Sequence, residues 1–428
     1  MTEQNQTDMT TKREHPNHSK LAFVLVLVPL LLSFSLSQFY RSAQALLADS
    51  LRGELGVTPE QLGLISGSFH FAFALMQIPV GVMLDRFGPR KTNGVMMIIT
   101  VMGVIVFARA HSVTGLMIGQ GIIGMGCAAA FMATLVCASR WVAPEKFAAT
   151  SGIIVALSLL GVLASATPLA ALIEYQGWRG VYYWLAGLSV LAVILTFVMV
   201  RDEPPHMQRK QPRRGETMRE VLQGILEVWK NRQMWLLVAV GFFAYPTILT
   251  VRGLWGGPYL HDVFHLAPVQ VGNILLAMTI GMIAGPPCYG HVARLMGGRA
   301  RPLILFSVFI STILLLLQAT FGVAHVWLAA FLMMAHGFLG SCATLNYAAS
   351  RAAVPQHLIG RALTTVNLAT FGGLFVLQGL AGVIIGQYPS DQAIIGYQWM
   401  FGFLGVGLGV AGMAFWLGGR PRKAQKNG

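Results

Sequence analysis

The stretch Gly81-Val82-Met83-Leu84-Asp85-Arg86-Phe87-Gly88-Pro89-Arg90-Lys91 lies between two long apolar runs. Gly88-Pro89 suits a tight chain reversal, and Arg86, Arg90 and Lys91 place cations at the turn. Lys and Arg collect in the cytoplasmic loops of membrane proteins. Asp85 is costly in lipid unless it meets a partner or a helix N-terminus. A charged hairpin of this kind belongs to a chain that crosses a bilayer repeatedly. The composition agrees: of 428 residues, 55% are hydrophobic and 11% charged, whereas a soluble domain carries about 25% charged residues.

A helix needs about 20 apolar residues to cross the hydrocarbon. Twelve such runs lie near 21–47, 59–84, 93–109, 114–140, 149–174, 178–200, 234–259, 268–292, 302–321, 326–350, 361–386 and 398–418. The expected class is an all-α polytopic membrane protein. Residues 1–20 are polar and lack the apolar core of a cleavable signal peptide, so a cytoplasmic tail is expected there. The N-terminal six spans cover 21–200 and the C-terminal six cover 234–418, with a cytoplasmic tail over 419–428. The central loop 201–233 is polar at first. Val221, Leu222, Ile225, Leu226 and Trp229 then recur at helical spacing, which predicts an amphipathic helix on the inner membrane face. Of the 30 Lys and Arg, all but Arg41, Arg52, Arg109, Arg179 and Arg252 fall in tails and inner loops when both termini are cytoplasmic. That asymmetry predicts the orientation. It also explains the net charge of +14 without nucleic acid as a partner. The four cysteines, Cys127, Cys137, Cys288 and Cys342, fall within apolar runs and are spaced neither as a metal site nor as a disulfide framework.

The two halves repeat. Gly81, Gly88 and Arg90 match Gly290, Gly297 and Arg299 at an offset of 209; Arg140 and Pro144 match Arg351 and Pro355 at 211. The opening stretch, G-x-x-x-D-R-x-G-x-R-K, resembles the signature loop between the second and third helices of the major facilitator superfamily. Gln120-Gly-Ile-Ile-Gly124-Met-Gly126 resembles the family's fourth-helix motif, with Gln in place of Arg. The resemblance implies two pseudo-symmetric six-helix bundles rocking about a central site. It also implies that Gly81, Asp85, Arg86, Gly88, Arg90 and Arg140 help latch the cytoplasmic side. Helix 1, Arg41 to Asp49, and the segment Leu55 to Gly63 are similar to the anion:cation symporter branch, and paired arginines are similar to the organophosphate antiporters. The chain departs from the symporter pattern at Tyr40, Gln120 and Cys127, where that branch often carries Asp, Arg and Glu. Only Gly161 and Pro168 stand where drug-proton antiporters carry their fifth-helix signature.

Ionisable groups in mid-span cost about 2.5–3.5 kcal/mol on insertion scales and mark function by default. The candidates are Arg41, Arg252, His70 and His336; no Asp or Glu falls mid-span. Arg41 and Arg252 are 211 residues apart, so the repeat puts them at equivalent places on spans 1 and 7. Two guanidinium forks without a carboxylate between them suit an anion. The competing reading is structural, with both arginines reaching toward the outer interface or pairing with Asp49 or Asp262. Gln38, Tyr40, Gln44, Tyr245, Trp255, His336, Asn346 and Tyr347 complete the expected substrate-binding set. His70 and His336 are the candidate proton carriers.

The expected function is secondary transport of a small organic anion by alternating access, with proton-coupled uptake, in a bacterial inner membrane. The expected protein is a monomer without cofactor or metal and has no enzymatic motif. An exporter of drugs or metabolites on the same fold is the alternative, and a transporter-like membrane sensor is the alternative of a different class.

Overall fold

The computed structural model describes residues 18–142, 144–203, 223, 226–297, 299–355 and 358–418. The expected tails, apart from 18–20, and most of the central loop with its amphipathic helix lie outside the described residues.

Among the described residues, nine helices are long and apolar enough to cross a membrane. Two of these contain two crossings each. Pro59–Ala108 reverses at Gly88 (φ 79°) and Thr150–Met199 at Gly177 (φ 72°). The shorter Val326–Leu339 continues past a break as Ala343–Ala352 and supplies the remaining crossing. The twelve expected crossings are therefore present.

Span 1 is His18–Ser42, prolonged beyond a break at Ala43 by Gln44–Leu55. Spans 2 and 3 are the two arms of Pro59–Ala108. Span 4 is Val113–Cys127 with Ala130–Trp141. Span 5 is Pro144–Ser158, Leu160–Ala164 and the first arm of Thr167–Met199, whose second arm is span 6. Span 7 is Arg232–Thr250 and Gly256–Phe264, joined by a π-turn over Val251–Trp255. Spans 8 and 9 are Pro268–Leu295 and Ala300–Thr320. Span 10 is the broken pair Val326–Leu339 and Ala343–Ala352, followed by Ile359–Gly386 and Ala393–Gly418 as spans 11 and 12. Mid-membrane breaks expose backbone groups that must find partners inside the protein.

The charged hairpin is built as expected at its turn, and its partners come from the end of span 6 and the residues just after it. The positive φ of Gly88 favours glycine, and the Asp202 carboxylate lies close against it, with an oxygen 2.6 Å from where a Cβ would stand. Asp202 accepts the Arg90 backbone N–H at 2.7 Å, and the Arg90 guanidinium donates to the Phe197 carbonyl. Arg90 thus ties the hairpin to its own half in this state. Arg86 lies over the Phe87 ring, 5.3 Å from its centroid.

We call the face opposite residues 18 and 418 the outer face. There the two halves close on each other. Arg52 of span 1 pairs with Asp262 of span 7 at 2.7 Å. The Thr167 hydroxyl of span 5 donates to Asn273 of span 8 at 2.7 Å. Ser66 of span 2 donates to Gln378 of span 11 at 2.8 Å. Spans 1 and 7 touch backbone to backbone, since a Cβ on Gly257 would lie 1.8 Å from the Ala45 carbonyl oxygen.

That contact yields a prediction. Gly257→Ala forces spans 1 and 7 apart, and overpacking of this kind costs about 1–3 kcal/mol. The thermal unfolding midpoint in detergent falls. Gly53→Ala, where an added Cβ meets nothing within 4 Å, leaves it unchanged. Equal midpoints for the two variants contradict the packing argument.

Candidate functional site

Arg41 lies in the last turn before the break in span 1 and is nearly buried, at 8% exposure. One Nη donates to Ser37 at 3.1 Å, and Nε has no hydrogen-bond partner. No carboxylate lies within ion-pair distance among the described residues. The guanidinium carbon is 4.8 Å from the Phe73 ring centroid and 5.3 Å from that of Phe371. Those rings come from spans 2 and 11, one from each half, with centroids 4.4 Å apart. Cation–π contact of this kind is worth about 2 kcal/mol when desolvated. It orients the fork without neutralising its charge.

The surroundings of Arg41 are polar but uncharged. Tyr245, Tyr347 and Cys127 are close enough to feel its charge. Tyr347 donates to Asn367 at 3.0 Å, and Asn367 donates to Gln77 across the halves at 2.9 Å. His70 stacks on Phe371, with ring centroids 6.4 Å apart. Its Nδ1 is 3.0 Å from the Ser66 carbonyl, while Nε2 has no partner. Gln38 is buried one turn before Arg41 on the same helix.

Arg252 is placed differently. It is fully buried. Nε donates to the Thr279 hydroxyl at 2.7 Å and Nη1 to the Ser42 carbonyl at 3.3 Å. Nη2 donates to the Val162 carbonyl at 3.0 Å and the Ser165 hydroxyl at 3.3 Å. Ser42 and Val162 stand beside the breaks in spans 1 and 5, where carbonyls lack their helical partners. Charged hydrogen bonds contribute about 1.5–3 kcal/mol each. Four of them exceed the insertion cost of one guanidinium, whereas Arg41 has a single such bond beside its two ring contacts. Arg252 is therefore a clamp between halves in this state, with little fork left for a ligand.

Other expected site residues separate in the same way. Tyr245 and Tyr347 join Arg41. Tyr40 turns into the N-terminal half, paired with Ser189 at 2.8 Å and donating to the Leu185 carbonyl. Gln44 reaches Tyr182 at 3.5 Å in the same half. Trp255 donates to the Gln378 carbonyl at 3.2 Å, within the C-terminal half. Asn346 donates to the Leu237 carbonyl at 3.2 Å. His336 lines a water-sized cavity inside the C-terminal half with Gln318, Val251 and Met333. Both of its ring nitrogens are unpartnered there. Phe73, Phe371, Gln77 and Asn367 were not singled out from sequence. A mid-span Asn or Gln is a usable signal, whereas two phenylalanines among 24 are not.

The geometry offers, among the described residues, a nearly buried guanidinium between two halves with an unpartnered Nε, which suits a small anion that both halves touch. The comparisons with known proteins agree on the scaffold. The chain is 24% identical to a probable sulfoacetate transporter of Cupriavidus necator, covering 86% of this chain and 87% of that protein. It is 24% identical to a probable L-galactonate transporter of Escherichia coli, over 77% and 76%. It is likewise 24% identical to the hexuronate transporter of Bacillus subtilis, over 66% and 67%. A crystal structure of a variant of the nucleoside transporter NupG superposes with a TM-score of 0.75 at 15% identity, covering 92% of this chain and 100% of that one. At that identity the likeness carries the fold alone. The family model described as Major Facilitator Superfamily matches residues 30–257 and 253–428. The chain belongs to the Major Facilitator Superfamily.

Proposed function

We propose that this chain carries a small organic anion across the membrane, and that Arg41 is the group that holds it. The observation that carries this reading is a nearly buried guanidinium with an unpartnered Nε and no carboxylate within ion-pair distance among the described residues. An anion seated on it completes a bidentate pair, the geometry guanidinium favours. The names of the relatives support the class, since sulfoacetate, galactonate and hexuronate are all organic acids.

Access alternates as the halves rock. Phe73 and Phe371 press on Arg41 from opposite halves, so its orientation depends on how the halves meet. Arg252, Arg52 and Asp262 hold the outer face closed in the state described. The hairpin around Asp85, Arg86 and Arg90 and the Arg140 loop belong to the opposite face, where they latch the alternate state.

Uptake with a proton is the energetic reading. His70 shares Phe371 with Arg41 and keeps Nε2 free. An anion cancels the charge of Arg41, so anion and proton support each other's binding. His336 lies away from this group, in the small cavity of the C-terminal half, and is the weaker carrier. The setting is a bacterial inner membrane with both termini in the cytoplasm, and the working unit is a monomer.

The test uses proteoliposomes loaded at neutral pH and assayed with sulfoacetate, L-galactonate and a hexuronate. Arg41→Lys keeps the charge and loses the fork. It lowers uptake of the accepted anion at least tenfold, mainly through a raised KM. Arg252→Lys leaves the KM within about threefold and lowers the maximal rate, because it loosens the closed outer face. Unchanged uptake in Arg41→Lys, or a larger KM effect in Arg252→Lys, contradicts the assignment. His70→Gln uncouples uptake from an inward proton gradient while leaving counterflow intact.

A further inference from the structure

The rim of the closed outer face carries a cluster that the anion site does not use. Asp49 and Arg52 stand on the Gln44–Leu55 extension of span 1; His261 and Asp262 stand on the Gly256–Phe264 end of span 7. Arg52 donates to Asp262 Oδ2 at 2.7 Å, and the Tyr397 hydroxyl of span 12 donates to the same oxygen at 2.6 Å. His261 Nδ1 lies 3.1 Å from Asp262 Oδ1 and 3.7 Å from Asp49 Oδ1. Arg52 is 4.0 Å from that Asp49 oxygen, which is shielded from solvent and has no hydrogen-bond partner. The charged and titratable groups around the imidazole are thus Asp49 and Arg52 from span 1, Asp262 from its own helix and Tyr397 from span 12. The neighbouring Arg179–Glu54 pair lies within the N-terminal half and does not bridge the gate.

With His261 neutral, two carboxylates face one guanidinium. One proton, on His261 or on Asp49, balances the cluster and answers the bare Asp49 oxygen. When the outer face opens, Asp49 and Arg52 leave with one half while His261 and Asp262 leave with the other. Asp49 then regains water, and the proton is no longer needed. We propose that closing the outer face takes up one proton from the outer side into the Asp49–His261–Asp262 cluster, so that external acidity favours the outward-closed state.

This proton returns to the side it came from when the gate reopens. It sets the balance of states and is not carried across, so it is distinct from any proton on His70. Burial lifts the Asp49 carboxyl above its usual range in the closed gate. The closed form therefore binds a proton more tightly than the open one. By linkage it gains as pH falls and loses that advantage as pH rises through the raised value. None of this depends on the identity of the cargo.

The test is a distance measurement across the gate. Spin labels at Gly53→Cys and Ala267→Cys, both exposed rim positions, are read by pulsed EPR in nanodiscs without cargo, in metal-free buffer. The background carries Cys288→Ser, since Cys127, Cys137 and Cys342 are buried. Between pH 8 and 5.5 the short-distance population grows over the long one, by up to about tenfold per pH unit, the limit for a single proton. The Asp49→Asn, His261→Gln double variant loses that response. A distribution that stays constant over this range overturns the proposal even if the double variant fails to fold. An unaltered response in a folded double variant overturns it too. Unchanged anion uptake in Arg41→Lys with this pH response intact counts against the Arg41 site alone.

Discussion

A guanidinium inside a bilayer needs acceptors, and backbone supplies them only where helices break. Arg252 meets that need at the break after Ser42 in span 1 and at the short Leu160–Ala164 segment of span 5. Both carbonyls end helical segments, where the dipole favours a cation. The bonds cross from the C-terminal half to the N-terminal half, so the same charge that would be costly in lipid holds the outer face shut. Backbone contact at Gly257 and Ala45 is possible because no side chain intervenes. The closed face thus rests on irregular backbone, a clamp that reads it and a rim of charges above.

Arg41 shows the complementary arrangement. It has one hydrogen bond, two aromatic rings and neighbouring hydroxyls, none of which cancels its charge. A group kept in that condition is either strained or waiting for a ligand. The rings come from opposite halves, so a ligand on Arg41 is felt by both. On the proposed reading, binding energy and the rocking motion share one residue, and a ligand shifts the two states by its differential affinity for them.

Much of the scaffold was legible in sequence. The Gly88 reversal, the twelve apolar runs and the repeat at 209 to 211 residues all correspond to built features. The site was legible only in part, because the repeat argument assumed that equal offsets give equal directions. Span 7 carries a π-turn over Val251–Trp255, while span 1 breaks at Ala43 instead. An extra residue in a turn rotates the remainder of the helix by about 100°, given 3.6 residues per turn. Arg41 and Arg252 thus share a register and not a direction. Asp202 was missed for a different reason. It lies in sequence within a polar loop and becomes specific only when the Gly88 turn closes on it. The Gln77–Asn367 bond was equally invisible, since its partners are 290 residues apart.

The central claim is that a single guanidinium receives the cargo while its apparent twin is already occupied. A structure of the protein with its accepted anion bound tests this most directly. The account predicts the anionic head within hydrogen-bond distance of Arg41 Nε and Nη, between Phe73 and Phe371, with Arg252 still bonded to Ser42 and Val162 when the outer face is closed. An anion bridging Arg41 and Arg252, or one seated away from Arg41, would contradict it.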